Sequence, residues 1–308
     1  MKRIVKIAGI IFLLMNVVAI FHAYKFTHFA SAADAKTRNP EQLSLFHKVK
    51  TLAFGVNNPR PQNLALPTQP FTTVKLESNK QIEAWHIKTD SAKGTVIIFH
   101  GYSGYKSSML EKSDEFLKMG YSTLLVDFMG SGGSEGNQTT IGFKEAEQVK
   151  TAVDYLSNIG EEKIFLFGTS MGAVAVMKSI SDFNVAPRGI IIECPFGSMY
   201  QTTCARFRNM NAPVFPMASL LVFWGGVQNG FWAFGHNPTE YAKRIECPTL
   251  LLYGALDKTV SKKETAVIFS NLQGEKTLKV YPSASHENYL IKHRVEWVAD
   301  VSWFLNKQ

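Results

Sequence analysis

Three stretches far apart in the chain carry the residue types needed for acyl transfer. They are a serine between glycines in Gly168-Thr169-Ser170-Met171-Gly172, an aspartate ending Gly254-Ala255-Leu256-Asp257, and a histidine ending Ser283-Ala284-Ser285-His286. A serine hydroxyl is a weak nucleophile at neutral pH. It needs a base within hydrogen-bond reach, and the base needs an acid that fixes its tautomer. A serine on a strand-to-helix elbow draws its acid and then its histidine from later strands of the same sheet, which is the order found here. Taken alone, the pentapeptide has a plainer reading, in which its glycines only allow a tight reversal. The surrounding KIFLFG and AVAV supply a buried strand before it and an apolar helix after it, which is the context an exposed nucleophile requires.

Of the eight histidines, His22 and His28 fall in or beside the N-terminal apolar stretch, His47 in the segment that follows, and His86 in an early strand. His236 lies in a later insertion and His293 in the closing helix, whereas His100, just before Gly101, suits a loop-shaping role. His286 combines a late position with a loop after a strand. The acid has a rival in Glu193, which ends GIIIE on a neighbouring strand and whose carboxylate could also reach the histidine. Asp127, after STLLV, precedes the elbow and reads as structural. The chemistry further needs two fixed N–H donors for the oxyanion. Met171 offers one at the positive end of the helix after Ser170, and Tyr102, in His100-Gly101-Tyr102-Ser103-Gly104, is the candidate for the second.

These residues must be positioned by a sheet. TVIIFH, STLLVDF, KIFLFG, GIIIEC and TLLLYG are continuous apolar runs, the pattern of parallel strands buried on both faces. SSMLEKSDEFLKMG, FKEAEQVKTAVDYLSNIG and SKKETAVIFSNLQG have helical spacing and end in glycine. FTTVKLES and QIEAWHIKTD alternate polar and apolar residues around Ser78-Asn79-Lys80 and predict a hairpin at the start of the domain. TLKVYP predicts a last strand before a closing helix over about Lys292 to Leu305. The result is an α/β fold: a mostly parallel central sheet flanked by helices, with an antiparallel edge, over residues 70–308.

An insertion over about 196–244 breaks the rhythm. Its NMNAPVFPMASLLVFWGGVQNGFWAFGHNP is rich in Phe, Trp and Met and predicts either a helix on the core or, as favoured here, a short helical lid over a pocket. At the other end, MKR precedes a strongly apolar stretch from Ile7 to Phe21, a membrane or export signal over residues 1–32. Counted from Ile4 to Tyr24 it is long enough to span a bilayer, with Lys2, Arg3 and Lys6 on the cytoplasmic side and the body outside the cytoplasm. The alternative is secretion after cleavage near Ala32, where Ala30-Ser31-Ala32 has the small-x-small form. Residues 33–69 read as a stalk or linker, with a short helix around Glu41 to Phe54.

Composition excludes other classes. Hydrophobic residues make up 45% of the 308, enough for a large core. Lys2, Arg3, Lys6 and Lys25 precede the first acidic residue, so half of the net charge of +8 is local and no basic stripe marks a nucleic-acid partner. Cys194, Cys204 and Cys247 lack metal-site spacing and read as small apolar residues; a Cys194–Cys204 bridge stays open.

HGYSG, DFMGSGGSEG, GTSMG, CPTLLLYGALDKTV and SASHENY, in this order over roughly Phe71 to Gln308, resemble the α/β-hydrolase superfamily, and within it the bacterial serine aminopeptidase-like or Bem46-like branch. The resemblance implies a serine hydrolase with a covalent acyl-serine intermediate, no metal and no organic cofactor. The aromatic insertion and the N-terminal segment favour a hydrophobic acyl ester or thioester over a charged peptide as substrate. A peptidase or amidase, or a non-catalytic binding protein on the same fold, remain the alternatives.

Overall fold

The computed structural model describes residues 2–32, 34, 37 and 44–308. The expected hairpin is formed by β1 (Thr72–Leu76) and β2 (Ile82–Ile87), and the expected parallel runs become β3 (Thr95–Phe99), β4 (Ser122–Asp127), β5 (Ile164–Thr169), β6 (Gly189–Glu193), β7 (Thr249–Gly254) and β8 (Lys276–Tyr281). They make one eight-stranded sheet in the order β1-β2-β4-β3-β5-β6-β7-β8. β1 and β2 are antiparallel, as are β2 and β4, and every later pairing is parallel. β3, β4, β6 and β7 are buried along their whole length, which is why their sequences lack alternation. β8 closes the sheet as a half-exposed edge and accordingly alternates.

The helices, in chain order, are α1 (Lys2–Thr27), α2 (Leu45–Phe54), α3 (Leu110–Lys118), α4 (Glu145–Asn158), α5 (Met171–Phe183), α6 (Met199–Asn209), α7 (Met217–Asn229), α8 (Pro238–Tyr241), α9 (Lys262–Asn271), α10 (Tyr289–Lys292) and α11 (Arg294–Asn306). The chain divides into two compact units, the first comprising Met1–Pro59 with Ser198–His236, the second Arg60–Gly197 with Asn237–Gln308.

The second unit contains the sheet. Its core joins Ile98, Phe116, Phe167, Ile191, Leu250 and Trp297, with Phe116, Phe167 and Trp297 meeting edge to face. Residues 60–69, read from sequence as stalk, belong to this unit. The Arg60 guanidinium donates to the carbonyls of Gly132, Ser134 and Gly136, and Asn63 Nδ2 donates to Asp127 Oδ2 at 2.8 Å. Asp127 has the structural role expected of it: fully buried, it pairs with the Lys106 ammonium and accepts the Lys106 and Gly133 N–H groups at 2.6 and 2.9 Å. Lys106 also pairs with Glu83 at 2.8 Å and lies over the Trp85 ring at 4.4 Å.

In the first unit, α2 begins at Leu45; residues 41–43 of the expected short helix lie outside the described residues. The part of the insertion in this unit contains the helices α6 and α7, and α7 packs beside α1. Cys204, Phe207 and Ala218 form a small core between α6 and α7. All three cysteines are free thiols, so the Cys194–Cys204 bridge left open by the sequence is not formed; Cys194 sits in the sheet-bearing unit and Cys204 on α6.

Replacing one partner of a buried pair strands the other's charge. Lys106→Met leaves Asp127 ionised and unpaired and is expected to destabilise the protein by about 3–5 kcal/mol, read as a fall in the urea midpoint.

Candidate active site

Ser170 stands between β5 and α5 with φ 51° and ψ −112°, a conformation that costs a non-glycine residue roughly 1–3 kcal/mol. Two fixed bonds hold it there. Its N–H donates to the Glu193 carbonyl at 2.8 Å, and its own carbonyl accepts Val174 N–H at 3.0 Å as the first bond of α5. The helix is buried from Met171 to Ser181, so the turn cannot relax without moving core. Gly172 is dictated by close approach: a Cβ there would lie 2.5 Å from the Phe99 carbonyl oxygen and 2.7 Å from that of His100. The first turn of α5 therefore lies directly against the chain leaving β3.

Asp257 follows β7. Its Oδ1 accepts the Thr259 and Val260 N–H groups at 2.7 and 2.8 Å, which leaves Oδ2 free to point elsewhere. His286 follows β8 on a loop that packs against the loop of Asp257. Leu256 N–H donates to the Ala284 carbonyl at 2.9 Å, and a Cβ on Gly254 would come within 2.6 Å of the Ala284 and Ser285 carbonyls. The two loops meet so closely that only a glycine fits between them.

These supports bring the three residues into one hydrogen-bonded chain. Asp257 Oδ2 is 2.7 Å from His286 Nδ1, and His286 Nε2 is 3.0 Å from Ser170 Oγ. A carboxylate only accepts, so Nδ1 carries the proton and Nε2 is left as the acceptor for the Ser170 hydroxyl. Burial works against protonation of His286. The neighbouring Cys194 sulfur and the hydrogen bond and charge of Asp257 outweigh it, and the imidazole pKa is held above its ordinary value.

The rival acid is engaged elsewhere. Glu193, fully buried, pairs with the Lys112 ammonium, accepts Thr169 Oγ1–H at 2.9 Å and accepts Trp297 Nε1–H at 2.7 Å. His100 is likewise committed: Nδ1–H donates to the Gly101 carbonyl at 2.8 Å and Nε2 accepts Phe128 N–H at 3.1 Å. Burial lowers its pKa, so it sits neutral beneath the loop it shapes. Met171 is the first residue of α5, where a backbone N–H has no partner within the helix. Tyr102 lies in the turn after β3, the strand that pairs with β5.

Two neighbours escaped the sequence reading. Cys194, at φ 40° just after β6, is buried as expected of a core thiol, yet its Sγ, an Asp257 oxygen and a His286 nitrogen all lie within 4.8 Å of one another. Such a trio can be asked to hold a metal. Asp257 and His286 are already 2.7 Å apart, closer than two ligands of a tetrahedral zinc, which stand about 3.3 Å from each other. The other is Tyr289. Its hydroxyl accepts Gly254 N–H at 2.9 Å, tying α10 to the end of β7, just before the loop of Asp257. Nothing in the motif SASHENY singles out its tyrosine.

Comparison with known proteins agrees with this architecture. Residues 90–230 match the family model described as "Serine aminopeptidase, S33", a span that includes Ser170 and ends before Asp257 and His286. The chain is 25% identical over 229 residues to YqkD of Bacillus subtilis (strain 168), covering 73% of this chain and 75% of that protein. It is 24% identical over 236 residues to the membrane protein YNL320W of Saccharomyces cerevisiae, covering 75% and 78%. Among solved structures, the Pyrococcus furiosus esterase Pf2001 superposes with a TM-score of 0.68 at 23% identity, over 82% of this chain and 97% of the esterase. With this sheet order, these loops at its edge and these relatives, the chain has the α/β-hydrolase fold, and its residues 90–230 are similar to the serine aminopeptidase S33 family.

Proposed function

We propose that the protein is a membrane-anchored serine hydrolase that cleaves a carboxylic ester or thioester of a hydrophobic acyl group, with its catalytic unit outside the cytoplasm. The observation that supports this most is the chain of bonds from Asp257 through His286 to a serine on a strained elbow. In this reading Ser170 Oγ attacks the acyl carbonyl carbon while His286 Nε2 takes its proton. The Met171 and Tyr102 N–H groups hold the resulting oxyanion. The intermediate collapses as the imidazolium returns its proton to the departing alcohol or thiol, leaving an acyl-serine. Water, deprotonated by Nε2, then releases the acid and restores Ser170. Asp257 stays ionised throughout and keeps the proton on Nδ1.

The ester preference draws on the likeness to an esterase and on the apolar insertion; the anchor draws on α1, 26 residues long with basic residues at its start. The serine aminopeptidase description of the matched family favours a second reading, a peptidase or amidase using the same residues. A fluorophosphonate probe is expected to label the wild type and not Ser170→Ala; a folded but unlabelled wild type would overturn the hydrolase reading. Rates on p-nitrophenyl esters of graded chain length against aminoacyl amides then separate the two readings.

The choice of acid is equally testable. Asp257→Asn, which leaves the imidazole with the wrong tautomer, is expected to lower kcat by about 10⁴-fold. Glu193→Gln is expected to lower stability, because Lys112 loses its counter-charge, with little change in the rate of the folded fraction.

Only neutral imidazole can accept the serine proton, so kcat/KM rises as pH climbs through the His286 pKa. Because that pKa is raised, the rise is expected above the ordinary histidine range. Asp257→Asn removes a stabiliser of the protonated form and is expected to shift the limb to lower pH; a shift upward would contradict the assignment.

A further inference from the structure

The insertion and the N-terminal helix share one compact unit, and their surfaces match in kind. Between Arg208 and Glu240 the sequence contains no Asp, Glu, Lys or Arg. Between Lys6 and Lys25 there is none either. In α1, residues 2–14 are exposed throughout, including Ile7, Ile10, Leu13 and Leu14, whereas Ala19, Ala23 and Thr27 form a buried stripe at four-residue spacing. α7 packs beside the C-terminal half of α1, where Trp224 Nε1–H donates to Asn16 Oδ1 at 3.0 Å and Gln228 Nε2–H donates to the Ile20 carbonyl at 2.9 Å.

Both of these polar side chains of α7 are thus turned toward its partner helix, and the large side chains that the helix and its flanking turns show outward are apolar. Phe215, Phe223, Val227 and Trp232 are 77, 40, 54 and 64% exposed. In water this arrangement is unfavourable, because each apolar group left uncovered forgoes burial. In a bilayer it is the stable one: polar side chains turned between helices, small residues at the buried stripe, apolar side chains toward the acyl chains. The ends carry the marks of an interface. At the C-terminal end of α1, Lys25 precedes Phe26, and the Arg206 guanidinium lies over the Phe26 ring at 4.3 Å, with Arg208 bordering the uncharged stretch.

We infer that α7 and its aromatic turns insert into the lipid bilayer beside α1, in the leaflet nearer the C-terminal end of that helix, so that the insertion is a second membrane-embedded element. The inference rests on the reading of α1 as a membrane anchor. The occupant of the apolar face of α7 is lipid acyl chain, and Arg206, Arg208 and Lys25 meet the phosphate layer.

Depth-dependent quenching tests this on the full-length protein in phosphatidylcholine–phosphatidylglycerol vesicles. A single environment-sensitive NBD fluorophore is placed on Leu13→Cys in α1, Phe223→Cys or Val227→Cys in α7, or Lys263→Cys on the exposed face of α9, each with Cys247→Ser. Fluorophosphonate labelling of Ser170 in the same samples reports that the catalytic unit is intact. The expected result is that acyl-chain spin-labelled lipid quenches the Leu13, Phe223 and Val227 probes and blue-shifts accompany them, while the Lys263 probe is unchanged. Quenching at Leu13 without quenching at either α7 position would overturn the inference and leave the anchor standing. Absence of quenching at all three would overturn both, while labelling of Ser170 would leave the hydrolase reading untouched.

Discussion

The geometry at Ser170 depends on how closely the first turn of α5 lies against the backbone that leaves β3. A side chain at Gly172 would have to occupy the space of the Phe99 and His100 carbonyls, so at this point two backbones touch with nothing between them. Because β3 and β5 are sheet neighbours in parallel register, with Phe99 opposite Gly168, that contact brings the turn containing Tyr102 beside the helix N-terminus containing Met171. The positive φ of Ser170 is the conformational cost of the same contact, offset by the burial of α5.

Charges buried beneath this edge divide the acids by function. Glu193 and Asp127 each end a strand, each lies fully buried, and each is bound by a buried lysine and further hydrogen bonds. An ion pair in such a place adds little net stability over an apolar pair, but it fixes both partners, because separating them exposes an uncompensated charge. Glu193 is therefore saturated by Lys112, Thr169 and Trp297, although it lies on the strand next to Ser170. Asp257 is satisfied on one oxygen only, by two backbone N–H groups, and the other is left for the imidazole.

This division marks where the sequence stops being legible. The strands from β3 to β7 could be read directly, because burial on both faces leaves an unbroken apolar run; Ser170 and Asp257 each follow such a run, whereas His286 follows the half-exposed β8. The rivalry of Glu193 could not be resolved, since its decisive partner, Lys112, lies on a helix far away in sequence and looks like any surface lysine. Cys194 and Tyr289 were hidden for the same reason: only folding brings Cys194 within 4.8 Å of Asp257 and His286, and the Tyr289 hydroxyl onto Gly254. Arg60 and Asn63 looked like part of a linker, because donation to the Gly132, Ser134 and Gly136 carbonyls and to the Asp127 carboxylate leaves no periodic trace.

The position of the insertion explains how one chain can carry such unlike units. The path leaves the sheet after β6 and returns before β7, yet those strands keep an unbroken parallel register from Ile190 opposite Thr249 to Glu193 opposite Leu252. At its root the excursion closes on itself: Met199 N–H donates to the His236 carbonyl at 3.0 Å, and just outside it Thr239 N–H donates to that of Gly197 at 3.2 Å. A loop closed this way places few demands on what lies between its ends, since the entropic cost of closure grows only slowly with length. Glu193 and Asp257, on the strands either side, keep their partners whatever the insertion contains. Among the described residues, the bonds that hold Glu193, Asp257 and His286 come from outside the stretch between Arg208 and Glu240, so that stretch can vary without unmaking them.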